Sequence, residues 1–102
     1  MRNEPPKNPF SDEVRSLFLF ETSCWKCGRS DVGLELDHIW GRKSNSAYNA
    51  FLICRICHIN KGTTDFREWQ FFKIKTFLKN ERYQPTPEDI KFIQEQESYE
   101  NI

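Results

Sequence analysis

The sequence predicts a small α+β domain, a β-hairpin packed by short helices and stapled through its cysteines. Three observations predict it. Two Cys-x-x-Cys pairs, Cys24/Cys27 and Cys54/Cys57, frame the 26 residues at positions 28–53. Two strand-like segments, one alternating and one apolar, lie within or against that frame. Segments with helical spacing precede and follow it. At 102 residues the chain is at most a single domain. A chain this short has a thin core, so a staple is expected.

Met1 to Pro9 is polar and contains three prolines, so it is expected to have little structure of its own. Ser11 reads as a helix N-cap, with Asp12 and Glu13 in the first turn, where the helix dipole favours them. Val14, Leu17 and Phe18 have helical spacing, which predicts a helix over about 11–21. Cys24 to Gly33 reads as a tight turn. Leu34, Glu35, Leu36, Asp37 and His38 alternate as a strand does, and Ala50 to Cys54 is a second, apolar strand. The polar segment Gly41 to Asn49 between them reads as a loop. Cys57 begins a helix expected to reach Gly62. From Thr64 to about Lys79 (64–80 at most), Phe66, Trp69, Phe72 and Leu78 suit an amphipathic helix covering the hairpin. Thr86-Pro87-Glu88-Asp89 is a cap, a proline at the first position and two acids, which predicts a last helix over about 87–96. The core motif spans 24–62.

Two-residue spacing lets both thiolates of a pair reach one ion from a single turn, and two pairs complete the tetrahedral shell of zinc. Gly28, directly after Cys27, suits the tight turn of a zinc knuckle. Such a site is closed and therefore structural, and it supplies folding free energy. Two disulfides or a redox pair are the rival readings. Zinc alone does not specify function, because many zinc ribbons only bind nucleic acid or protein.

The formal net charge is zero, with 15 basic and 15 acidic side chains. The distribution is uneven. His38 to Lys61 contains Arg42, Lys43, Arg55 and Lys61 and no acid, whereas the tail from Glu88 carries five acids against Lys91. A locally basic middle suits phosphate binding; solvated helix faces are the plain alternative. No apolar run is long enough to span a membrane, and Met1 to Phe10 has no signal-like run, so a reducing cytoplasm is the expected compartment.

His38 and His58 are the two histidines of the chain, and both lie at this frame. Strand pairing and a helix packed across the hairpin would bring Asp37 towards His58. The residues Cys24-Trp-Lys-Cys27, Leu36-Asp37-His38-Ile39, Asn49 and Leu52-Ile-Cys54-Arg-Ile-Cys57-His58, with Lys61, resemble the HNH endonuclease motif. The resemblance is to the subgroup in which two Cys-x-x-Cys pairs flank the active site, and it covers about Cys24 to Gly62. It implies a ββα-metal (His-Me finger) motif with a structural zinc knuckle, packed by flanking helices. It implies His38 as the general base, with an ordinary pKa of about 6.5 suited to taking a proton near neutrality. Asp37 and His58 would hold a catalytic Mg²⁺ or Mn²⁺, and Asn49 would pin the loop that orients His38. Proteins of this family are common in phages and bacteria. The substrate implied is DNA, with Arg42, Lys43, Arg55 and Lys61 as phosphate contacts. Trp40, beside the expected base, is read as core.

Two alternatives stand beside this reading. A non-catalytic zinc module that binds DNA or protein would not need Asp37, His38 or His58. An accessory protein of a phage packaging or recombination complex would be a real nuclease that depends on a protein partner for targeting.

Overall fold

A computed structural model of the chain describes residues 10–41, 44–60 and 66–100, the side chains of 98–100 excepted. Ser11 caps helix α1 (Asp12–Ser16), its Oγ accepting from the Val14 N–H at 3.2 Å. The helix stops at Ser16 rather than near Glu21. Beyond it, Leu17, Phe18, Leu19 and Glu21 donate to the carbonyls three residues back, the tighter 3-10 pattern. This turn sends Phe18 against Phe77, with centroids 4.9 Å apart, and leaves Phe20 92% exposed.

Strand β1 (Leu34–His38) pairs antiparallel with β2 (Ala50–Cys54), Leu34 opposite Cys54 and His38 opposite Ala50. These are the bounds that the alternating and apolar runs predict. Every residue of β2 is buried, which is why it reads as a continuous apolar run. The segment between the strands, read as loop, contains a 3-10 turn at Ala47–Asn49. Helix α2 (Arg55–Asn60) follows β2 with no connection, so it begins at Arg55 rather than at Cys57. The expected extension to Gly62 lies outside the described residues.

Helix α3 (Arg67–Asn80) packs across the hairpin and its 3-10 turn through Gln70, Phe71, Ile74 and Leu78. Of the stripe that the spacing predicts, Leu78 is fully buried, whereas Trp69 and Phe72 are 44% and 66% exposed. Aromatic residues lie on every side of this helix, so spacing alone does not identify its buried face. Trp40 meets Phe71 edge to face at 5.0 Å and Phe92 at 5.9 Å, joining hairpin, α3 and the C-terminal helix in the core. A second aromatic group centres on Trp25, which meets Phe51 and Phe77 at 5.3 and 5.1 Å. Helix α4 (Pro87–Glu100) runs past the expected end near Gln96. It opens with a reciprocal cap: Asp89 N–H donates to Thr86 Oγ1 at 3.1 Å, and Thr86 N–H to Asp89 Oδ2 at 3.0 Å.

Just past helix α3, Arg82 takes φ +59°, and Tyr83 N–H donates to the Leu78 carbonyl at 3.0 Å. This helix terminus prefers glycine at the left-handed position. Arg82→Gly is expected to stabilise the domain by about 1 kcal/mol in urea denaturation, because the left-handed conformation costs a side-chain-bearing residue roughly that much. Unchanged or lower stability would show that Arg82 contributes contacts outweighing the strain.

Candidate functional site

The loop 24–28 is wound around a sulfur. Gly28 N–H donates to the Cys24 carbonyl at 2.9 Å, with Gly28 at φ +84°, a conformation that side chains disfavour. The N–H groups of Lys26 and Cys27 point at Cys24 Sγ, at 3.3 and 3.4 Å. Trp25 N–H donates to the Leu52 carbonyl at 3.0 Å, which ties this knuckle to β2. Cys54 closes β2 and Cys57 lies on α2, so the second pair straddles the junction of strand and helix.

The four sulfurs lie within 4.8 Å of one another, and none is in a disulfide. Zn–S bonds of about 2.3 Å in a tetrahedron place sulfurs about 3.8 Å apart; Cys27 Sγ and Cys54 Sγ are 3.8 Å apart. The electrostatics also call for a cation. Burial alone would raise the Cys24 thiol. Backbone hydrogen bonds from Cys27, Cys54 and Lys26 outweigh that and bring its pKa down to about 6. Burial, hydrogen bonding among the thiols and the charge on Cys24 push Cys57 up to about 12. Ionising one thiol thus opposes ionising the next, and a dication at the centre removes that opposition. The tetrad could hold a zinc ion, in a closed shell with no open position.

On the adjacent helix, His58 projects between two carboxylates of β1. Its Nδ1 lies 2.7 Å from Glu35 Oε1, and its Nε2 lies 3.4 Å from Asp37 Oδ1. A carboxylate only accepts, so a proton on Nδ1 is donated to Glu35, and Asp37 faces the other ring nitrogen. Asp37 and His58, paired by the sequence reading, are therefore brought together. Glu35 was missed. Its signal was the two-residue period of the strand, which puts it on the same face as Asp37.

The pleat turns His38 the other way. Its ring is buried, 6% exposed, and stacks on Phe10 with centroids 4.4 Å apart. Its Nε2 lies 3.3 Å from Asn45 Oδ1. Asn49 is fully buried and holds three backbone groups of the preceding loop. Its Oδ1 accepts from Trp40 N–H at 2.9 Å, while its Nδ2 donates to the carbonyls of Gly41 (3.1 Å) and Ser44 (2.7 Å). The sequence singles out neither Phe10, which lies outside the core motif, nor Asn45, which lies inside it but at no position the motif names. Of the proposed phosphate contacts, Arg55 is exposed on the first turn of α2. Arg42, Lys43 and Lys61 lie outside the described residues. Two cations of α3 lie over aromatic rings of the domain, Lys73 over Trp25 at 5.2 Å and Lys75 over Phe71 at 4.4 Å. These two cover the core as solvated side chains do.

Cys54→Ser removes one of the four sulfurs that could hold zinc. Thermal unfolding followed by circular dichroism is expected to show a lower midpoint for this variant than for the parent, with zinc lost from the purified protein. A parent that contains no zinc, or a variant of undiminished stability, would contradict a structural metal. Comparison of the chain with protein-family models, with curated proteins and with solved structures finds no match in any of the three.

Proposed function

We propose that this protein is a metal-dependent endonuclease of the HNH type that hydrolyses phosphodiester bonds in DNA. The observation that carries the reading is the meeting of Asp37 and His58, the first on β1 and the second on α2, the helix that follows directly from its partner strand β2. One carboxylate oxygen and one imidazole nitrogen 3.4 Å apart are a donor pair that a divalent ion such as Mn²⁺ or Mg²⁺ can share. When bound, that ion supplies positive charge to the scissile phosphate and the departing oxygen.

The rest of the chemistry belongs to the chain. His38, as general base, takes a proton from the attacking water. Asn45 restrains the ring through Nε2, and Asn49 restrains the loop that carries Asn45. Phe10 covers the face of His38, so the reading requires that ring to move aside when substrate arrives. Arg55, exposed beside His58, would meet the phosphate backbone.

The burial of His38 favours a second reading, in which the domain is a zinc-dependent DNA-binding or accessory module and His38 is a core residue. Relaxation of supercoiled plasmid in Mn²⁺ or Mg²⁺ separates the two. The nuclease reading expects cleavage by the wild type, loss of at least about a hundredfold in rate for His38→Ala, and a comparable loss for His58→Ala, both variants remaining folded. Phe10→Ala, which uncovers the ring, is expected to retain activity or gain it. EDTA should stop cleavage at once, before the slower unfolding that follows zinc loss. DNA binding without cleavage in every variant would sustain the module reading and overturn the enzyme.

A further inference from the structure

We propose that Asp89 is a positioning residue for His38, acting from helix α4 through the loop that closes the hairpin. Its catalytic consequence rests on the reading of His38 as the base; the coupling itself does not.

Asp89 is 2% exposed, and a carboxylate that deep is tolerated only when its oxygens are well supplied with donors. Ser46 Oγ donates to Oδ1 at 2.6 Å, and Tyr83 OH donates to Oδ2 at 2.6 Å beside the Thr86 N–H. Burial alone would raise its pKa; these bonds outweigh burial and hold it below the usual carboxylate range. Capping of α4 accounts for Thr86. It does not account for Ser46, which lies 43 residues away in sequence.

Ser46 is the hub of the loop. Its Oγ accepts from Tyr48 N–H at 3.1 Å and its carbonyl from Asn49 N–H at 2.9 Å, while its own N–H donates to Ser44 Oγ at 3.1 Å. The Ser44 carbonyl is held in turn by Asn49 Nδ2. Asn45, whose Oδ1 meets His38, lies between these two anchored residues. Asn49 therefore fixes one end of the segment and Asp89 the other. A short hydrogen bond to a buried charge is the stronger kind, which suits it to set the position of a loop.

The test uses the zinc-loaded full chain with ¹⁵N-labelled histidine. The two histidines are assigned from His38→Ala and His58→Ala. Asp89→Asn and Ser46→Ala are each expected to shift the ring-nitrogen resonances of His38 and leave those of His58 in place. Thr86→Ala, which weakens only the cap, is expected to lower the melting temperature without moving His38. With an active nuclease, Ser46→Ala should lower kcat by roughly tenfold to a hundredfold, as a displaced catalytic group does, with KM unchanged. His38 resonances that stay put in Ser46→Ala would overturn the proposal and leave Asp89 as a cap, even if Asp89→Asn does not fold. A wild type that cuts no DNA would defeat the nuclease reading alone, because the resonances still decide the coupling.

Discussion

Four thiols within 4.8 Å of one another, at the point where β2 becomes α2, impose the constraint on which the hairpin depends. The charge on an ionised Cys24 opposes ionising Cys57, a dication would relieve that opposition, and neutral thiols hold one another only weakly. The consequence falls on α2. This helix is six residues long and buries no side chain. A helix of that length is not stable on its own in water, and Ile56 and Ile59 remain exposed rather than anchoring it. What holds it is Cys57 on one side and, on the other, His58 between Glu35 and Asp37. The cysteine tetrad and the Asp37–His58 pair thus meet on the same short helix, the first at its start and the second along it.

A different restraint governs His38. Its surroundings come from segments far apart in sequence: Phe10 before α1, Asn45 in the hairpin loop, and Asp89 behind that loop on α4. Ala47 and Tyr48 in the 3-10 turn are buried in the core, whereas the polar residues Ser44 to Ser46 before them are positioned by hydrogen bonds to Asn49 and Asp89. Trp40, Phe71 and Phe92 form the apolar contact beneath the loop. The C-terminal helix supports one end of the hairpin through polar bonds, as the cysteine tetrad does at the other.

The parts of this arrangement legible in the sequence are those set by local chemistry. Both strands are readable because a two-residue period and a bounded apolar run leave little choice. The cysteine tetrad is readable because its spacing is that of a metal site, and the start of α4 because Thr86, Pro87 and Asp89 each fit a position at a helix N-terminus. What was not legible depends on tertiary packing. The buried face of α3 is undetermined by a sequence with aromatics all round, so Phe71 could not be preferred to Phe72. The bond between Asp89 and Ser46 has no local signature, and Asp89 read as an ordinary first-turn acid. Glu35 was half legible: the strand period gave its face, but only the direction of α2 gives it His58 as a partner.

The most direct test of the dependence on four sulfurs is to add Co²⁺ to metal-free, reduced protein, following visible absorption and far-ultraviolet circular dichroism together. The expected result is a single equivalent of cobalt bound with the intense thiolate charge-transfer and tetrahedral ligand-field bands of a four-sulfur site, and helical signal that rises in step with it. A metal-free protein already fully folded, or a weak octahedral spectrum without thiolate bands, would contradict it.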